Sequence, residues 1–80
     1  MDRQKLSEAV LRAVRDNGGR ATIVEIARHI WINHEADLKA AGDLFYTWQY
    51  EMRWTAQKLR NAGQLAYARE NGRNVWQLVK

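Results

Sequence analysis

The stretch Asp43-Leu-Phe-Tyr-Thr-Trp-Gln-Tyr-Glu-Met-Arg-Trp-Thr-Ala-Gln-Lys-Leu-Arg-Asn-Ala-Gly63 decides the fold. Projected at about 100° per residue, it divides into two faces. One is an apolar stripe that predicts burial: Phe45, Trp48, Met52, Ala56, Leu59 and Ala62. The opposite face carries cations, amides and aromatic rings, with Glu51 only at its edge: Tyr50, Arg53, Trp54, Gln57, Lys58 and Asn61. The pattern predicts a long helix that begins between Asp43 and Thr47 and ends at Gly63, because the residue after a helix often needs a positive φ.

The composition predicts one small domain with an aromatic core. Its 80 residues include four Trp, three Tyr and one Phe, which bury much apolar area in few positions. The absence of cysteine excludes disulfides and cysteine zinc sites. No stretch reaches the roughly 18 apolar residues of a membrane span, and the start of the chain lacks the apolar segment of a signal peptide. We therefore expect a cytoplasmic protein without a membrane partner.

The basic charge lies in the second part of the chain. Residues 1–51 have a net charge of −1, whereas residues 52–80 have a net charge of +5, with Glu70 as the single acidic residue. Clustered cations favour an anionic partner, of which nucleic acid is the simplest.

Before the long helix, the periodicity predicts helices over residues 3–16, 23–32 and 34–41. Thr22 and Glu25 have the spacing of a capping box at the start of the second helix. Asn33 is a suitable N-cap for a short inserted helix that Gly42 would close. We expect Trp31 and Ile32, at the end of the second helix, to cover the base of the core.

After the long helix, which is expected to span 44–62, a β-hairpin is predicted with strands 64–70 and 73–79. Asn71-Gly72 is the preferred sequence for a two-residue type I′ turn. Pairing outward from it puts four apolar residues on one face, expected to face the core: Leu65, Tyr67, Trp76 and Leu78. The predicted fold is mostly α with a C-terminal β-hairpin (α+β), a winged helix-turn-helix with an inserted short helix, forming a single domain over 1–80.

The residues from Met52 to Leu65, followed by Arg69 to Val79 with Val75-Trp76-Gln77-Leu78, resemble the N-terminal domain of Mrr-type restriction endonucleases. That family has an arginine-apolar-x-Trp-Ala-x-x-x-Leu-x-x-Ala-Gly-Leu pattern and a short hairpin ending in Gly-Val-Tyr/Trp-x-Leu/Ile. The spacing of Trp54 and Leu59 matches it, as does Ala62-Gly63, and the resemblance extends from about Leu6 to Val79. This sequence departs from the pattern at Thr55, at Gln64 and at the Asn71-Gly72 turn.

The resemblance implies a DNA-recognition module, which in this family is fused to a PD-(D/E)xK nuclease domain. A nuclease of that kind does not fit into 80 residues. We therefore expect this chain not to be an enzyme, and any cutting to lie in another region or in a partner. The resemblance also implies a restriction or regulatory system of bacterial or phage-like type.

The predicted partner is double-stranded DNA, with the long helix in the major groove and the hairpin, or wing, on the adjacent backbone. Five cations are expected to contact phosphates: Arg53, Lys58, Arg60, Arg69 and Arg73. Base or modification preference is expected from Tyr50, Trp54, Gln57 and Asn61, and Asn71 adds a polar group at the wing tip.

Other interpretations of the same residues stay open. The charged helix face is also compatible with a simple solvated surface, and the wing with a Glu70–Arg73 cross-strand pair. Tyr50 and Trp54 could instead form a homodimer or protein interface, pack under the inserted helix, or bind RNA or a single strand. His29 and His34 lack clustered ligands at zinc spacing, and Ser7 is the only serine, so we expect no metal, cofactor or catalytic site.

Overall fold

A computed structural model describes residues 1–79; Lys80, the last residue of the predicted domain, lies outside the described part. Three helices and three strands follow one another along the chain: α1 (Arg3–Asp16), β1 (Arg20–Ala21), α2 (Ile23–Lys39), α3 (Leu44–Asn61), β2 (Leu65–Glu70) and β3 (Arg73–Leu78). This mainly helical α+β arrangement, ending in an antiparallel strand pair, has a winged-helix-like layout and confirms the predicted fold class. None of the helices within residues 1–79 is long and apolar enough to cross a membrane.

The core lies where the three helices meet one another and the sheet. Trp48 and Trp76 are its aromatic members. Its larger non-aromatic side chains are Leu6, Val10, Val14, Ile26, Ile30, Leu38, Met52, Leu59 and Leu65. The predicted stripe of α3 is confirmed at Trp48, Met52, Ala56 and Leu59. It is wrong at both ends, since Phe45 is half-buried and Ala62 is exposed. Ala62 is the C-cap of α3, where the chain turns away from the packed helices.

The predicted second and inserted helices form one helix in the structure. α2 continues from Ile23 to Lys39, with a kink at His34 (φ −133°, ψ 21°). Asn33, the expected N-cap, instead donates its side-chain amide to the His29 carbonyl at 2.8 Å. The helix continues because Leu38 lies on the same buried side as Ile30 and is itself fully buried.

The ends of α2 and α3 follow the predicted chemistry. The Thr22 hydroxyl accepts from the Glu25 backbone N–H at 3.2 Å, and the Glu25 carboxylate accepts from the Thr22 backbone N–H at 2.8 Å, so the capping box is present. Gly63 ends α3 with φ +80°. The Gln64 backbone N–H then donates to the Leu59 carbonyl at 2.9 Å, which closes the helix as a Schellman motif.

The hairpin has the predicted register, with Leu65 opposite Leu78, Tyr67 opposite Trp76 and Glu70 opposite Arg73. Asn71 (φ 52°) and Gly72 (φ 79°) both have positive φ, as a type I′ turn requires. The short segment before α2 is a third strand. β1 pairs with β3, giving the sheet order β1-β3-β2.

Candidate nucleic-acid interface

The outer face of α3 is exposed because the opposite side of the helix packs on α1 and α2. Arg53 and Lys58 are exposed on it, and Gln57 is half-buried. Glu51, at the edge of this face in the sequence, is half-buried and lies 3.6 Å from the guanidinium of Arg3 on α1. The one nearby carboxylate on α3 is therefore directed toward α1.

A cleft of about 430 Å³ separates α3 from the hairpin and the start of α2. It is lined by Ile23, Tyr50, Arg53, Trp54, Gln57, Tyr67, Asn74 and Trp76. Four of the ten predicted site residues thus meet at one place: Tyr50, Arg53, Trp54 and Gln57. The described residues that line the cleft include no carboxylate, so Arg53 is the charged side chain among them.

Tyr50 and Trp54 form an exposed aromatic corner on α3. Their ring centroids lie 6.2 Å apart with planes 70° apart, and the two residues are 63% and 51% exposed. Trp54 lines the cleft together with the start of α2 and the hairpin, and none of residues 34–41 is among the described lining residues. His34 and Asp37 of that segment line a separate cleft with Lys5 and Arg12 of α1.

Tyr67 joins the hairpin to the end of α3. Its ring stacks on Trp76 with centroids 4.0 Å apart, and the Arg60 guanidinium lies 4.9 Å from its centroid. A cation in this position is attracted by the ring electrons. Tyr67 was predicted to face the core, yet it is 46% exposed. Trp76 fills the buried position beneath it, and Tyr67 forms part of the cleft wall.

Three amides lie on the same side of the molecule. Gln57 Nε2 donates to Asn61 Oδ1 at 3.1 Å, which leaves Gln57 Oε1 and Asn61 Nδ2 available to a ligand. Asn74, on β3, lines the cleft and was missed by the sequence analysis. The predicted register would have identified Asn74, because Asn74 lies two residues before Trp76 and therefore on the same face of the hairpin as Trp76 and Tyr67.

The wing cations are divided between the two faces of the hairpin. Arg69 is opposite Asn74 and therefore lies on the cleft side of the sheet. Arg73 and Asn71 line a different cleft with Arg20 and Glu70. Glu70 lies 2.7 Å from the Arg20 guanidinium, so the expected Glu70–Arg73 ion pair is replaced by a pair with β1. The structure does not bring Arg73 or Asn71 into the α3 cleft.

The last turn of α3 carries Lys58 and Arg60, a position where cations are favoured by the negative end of the helix dipole.

The two histidines lie away from this face and pair with carboxylates. His29 lies 3.0 Å from Asp16, and His34 lies 3.8 Å from Asp37. Among residues 1–79 there is no group of three or more metal-ligating side chains.

Comparisons with protein-family models, curated proteins and solved structures found no match to this chain. The resemblance to Mrr-type domains therefore stays a prediction, and the function is argued from the geometry of the cleft and the charges around it.

Proposed function

We propose that this chain binds double-stranded DNA through the outer face of α3. The observation that carries the proposal is the cleft in which Arg53, Trp54 and Gln57 meet the hairpin without an acidic side chain among the described lining residues. A helix enters the major groove readily, and cations, amides and aromatic rings are the groups that contact phosphates and bases there.

In this arrangement the cations supply affinity and the amides supply selectivity. Lys58, Arg60 and Arg69 are exposed, and each phosphate contact releases counterions from the DNA. Gln57 and Asn61 have the side-chain type that forms paired hydrogen bonds with adenine in the major groove. Their mutual hydrogen bond holds the two amides next to each other on α3.

The hairpin tip follows the adjacent DNA backbone. Arg69 and Arg73 lie on opposite faces of the hairpin, so phosphates on either side of the tip have a cation within reach. The Asn71-Gly72 turn keeps the tip narrow enough to lie along a groove.

The resemblance to Mrr-type recognition domains supports a role as the recognition part of a restriction or regulatory system. Any nuclease activity would belong to a fused region or a separate partner. The cytoplasm is the compartment that such a role requires.

Lys58→Ala tests the interface through its salt dependence. Loss of one phosphate contact should weaken binding to every duplex sequence and reduce the slope of log affinity against log salt by about 0.9. Fluorescence anisotropy of a labelled duplex at several salt concentrations measures that slope. Lys5→Ala is the matched control, because Lys5 lies on α1 in a separate cleft with Glu8 and Arg12. Equal slopes for Lys58→Ala and the unmodified protein would remove Lys58 from the interface.

A second candidate function is protein docking or homodimer formation through Tyr50 and Trp54. Their exposure of 63% and 51% favours it, since exposed large aromatics commonly mark a contact surface. Sedimentation velocity over a range of protein concentrations tests it. Association that Trp54→Ala abolishes, together with no affinity for DNA, would select docking over DNA binding.

A further inference from the structure

The cleft beside α3 has the dimensions of a small-ligand site. Its volume of about 430 Å³ lies within the range of about 300–1,000 Å³ that holds small organic molecules. Half of its eight lining residues are aromatic: Tyr50, Trp54, Tyr67 and Trp76. Contact with base edges in an intact duplex uses hydrogen-bonding groups and does not require aromatic walls. The aromatic lining therefore calls for a ligand that stacks.

Tyr50 and Trp54 are the two lining rings that are more than half exposed and so offer surface for stacking. Tyr67 has Trp76 against one face and the Arg60 guanidinium over the other. Trp76 is itself buried. Trp54 is half-exposed and meets Tyr50 nearly at a right angle, so a flat ring stacked on either of them touches the edge of the other.

The polar groups of the cleft indicate which functional groups the stacked ligand should have. Gln57 and Asn74 provide amide donors and acceptors, which suit an uncharged ring with hydrogen-bonding edges. Arg53 provides one positive charge, which suits a phosphate attached to that ring. A planar heteroaromatic ring on a phosphate backbone is a nucleotide.

We propose that the cleft holds one unpaired nucleobase of the bound DNA, stacked on Trp54 with its edge toward Gln57 and Asn74. This rests on the proposed function, because the flanking duplex would be held by the cations of α3 and the hairpin. Bases outside the helical stack are recognised in this way, by stacking on aromatic side chains and hydrogen bonds to the base edge.

Three duplexes with the same flanking sequence test the proposal: one fully paired, one with a single bulged nucleotide, and one with an abasic residue at the bulge. The protein should bind the bulged duplex about tenfold more tightly than the paired one, within the range found for stacking one base. The abasic bulge should lose that gain, which separates recognition of the base from recognition of a flexible joint.

Variants of Trp54 test whether the preference for the bulged duplex depends on the cleft. Trp54→Ala should abolish the preference for the bulge, because it should weaken the complex with the bulged duplex more than the complex with the paired duplex. Trp54→Phe should retain part of that preference. With 2-aminopurine as the bulged base, binding should quench its fluorescence in the unmodified protein and not in Trp54→Ala. Circular dichroism of each variant verifies that the fold is kept, which the exposure of Trp54 favours.

Equal affinity for the paired and bulged duplexes would overturn the base-binding proposal and leave the DNA-binding proposal intact. So would an abasic bulge bound as tightly as the bulged base, or a Trp54→Ala variant that weakens all three complexes equally. No binding to any of the three at low salt would overturn both proposals.

Discussion

At the residue scale, the carboxyl group of Glu25 has a lowered pKa. The Thr22 backbone N–H, followed by the Thr22 side chain, holds the pKa of the Glu25 carboxyl below its usual value of 4.5. Asn17 and Arg28 lower this pKa further, whereas the slight burial of the carboxyl opposes them. Glu25 lies in the first turn of α2, directly after β1. Its charged form therefore stabilises the start of that helix.

Because the folded pKa of Glu25 is below the unfolded value, its charged form stabilises the folded state fully above about pH 4.5. That contribution is lost as the pH falls through the folded pKa. The thermal unfolding midpoint of the unmodified protein should exceed that of Glu25→Gln near neutral pH, and the difference should shrink toward pH 3. Glu8→Gln removes one charge from α1 and serves as the control. A difference that stays constant across this pH range would contradict the assigned role of the Glu25 charge.

At the scale of elements, a pair of tryptophans couples α2 to α3. Trp31 stacks on Trp48 with centroids 6.2 Å apart and planes only 10° apart, and Trp48 is 6% exposed. The contact joins α2 to the buried side of α3, since Trp48 belongs to the core and Trp31 packs against it.

Trp48→Ala should therefore lower the free energy of unfolding by about 3–5 kcal/mol, the cost of truncating a buried aromatic residue. Tyr46, nearby on the same helix and 83% exposed, gives the matched control, and Tyr46→Ala should change that free energy by less than about 0.5 kcal/mol. Urea denaturation followed by circular dichroism measures both. Similar losses for the two variants would contradict the contribution to stability assigned to the burial of Trp48.

The elements that the sequence predicted well are those with local signals. α1 and α3 follow from helical periodicity, and the Asn71-Gly72 turn fixes the register of the hairpin because the pairing propagates outward from it. β1 has two residues and no pattern of its own; it becomes a strand because β3 lies beside it. The continuity of α2 was missed because Asn33 resembles a cap, although Leu38 continues the buried side of Ile30.

Of the residues that line the cleft, the sequence predicted as site residues only those on α3. The angular position of Trp54 on α3 follows from the helical repeat. Its neighbours Tyr67, Asn74 and Ile23 come from other elements, and their approach depends on tertiary packing that no local pattern encodes. Both wing cations were expected to contact phosphates, and strand alternation puts Arg73 on the opposite face of the hairpin from Arg69.

At the scale of the whole molecule, ion pairs away from the outer face of α3 involve several acidic residues. Glu51 pairs with Arg3, Glu70 with Arg20, and Glu35 with Lys39. Exposed pairs of this kind contribute little to stability, but they determine where uncompensated charge appears. Five cations of α3 and the hairpin take no part in the salt bridges found within residues 1–79, so a polyanion could meet them there: Arg53, Lys58, Arg60, Arg69 and Arg73.

If the cations of α3 and the hairpin bind double-stranded DNA as proposed, the affinity must depend strongly on salt. Titration of a labelled random-sequence duplex at about 50 and 200 mM salt tests it most directly. If the five predicted cations each contact a phosphate, affinity should fall on the order of a few hundred-fold between the two conditions. Absence of binding at the lower salt concentration, or binding with the same affinity at both, would contradict DNA binding by these cations.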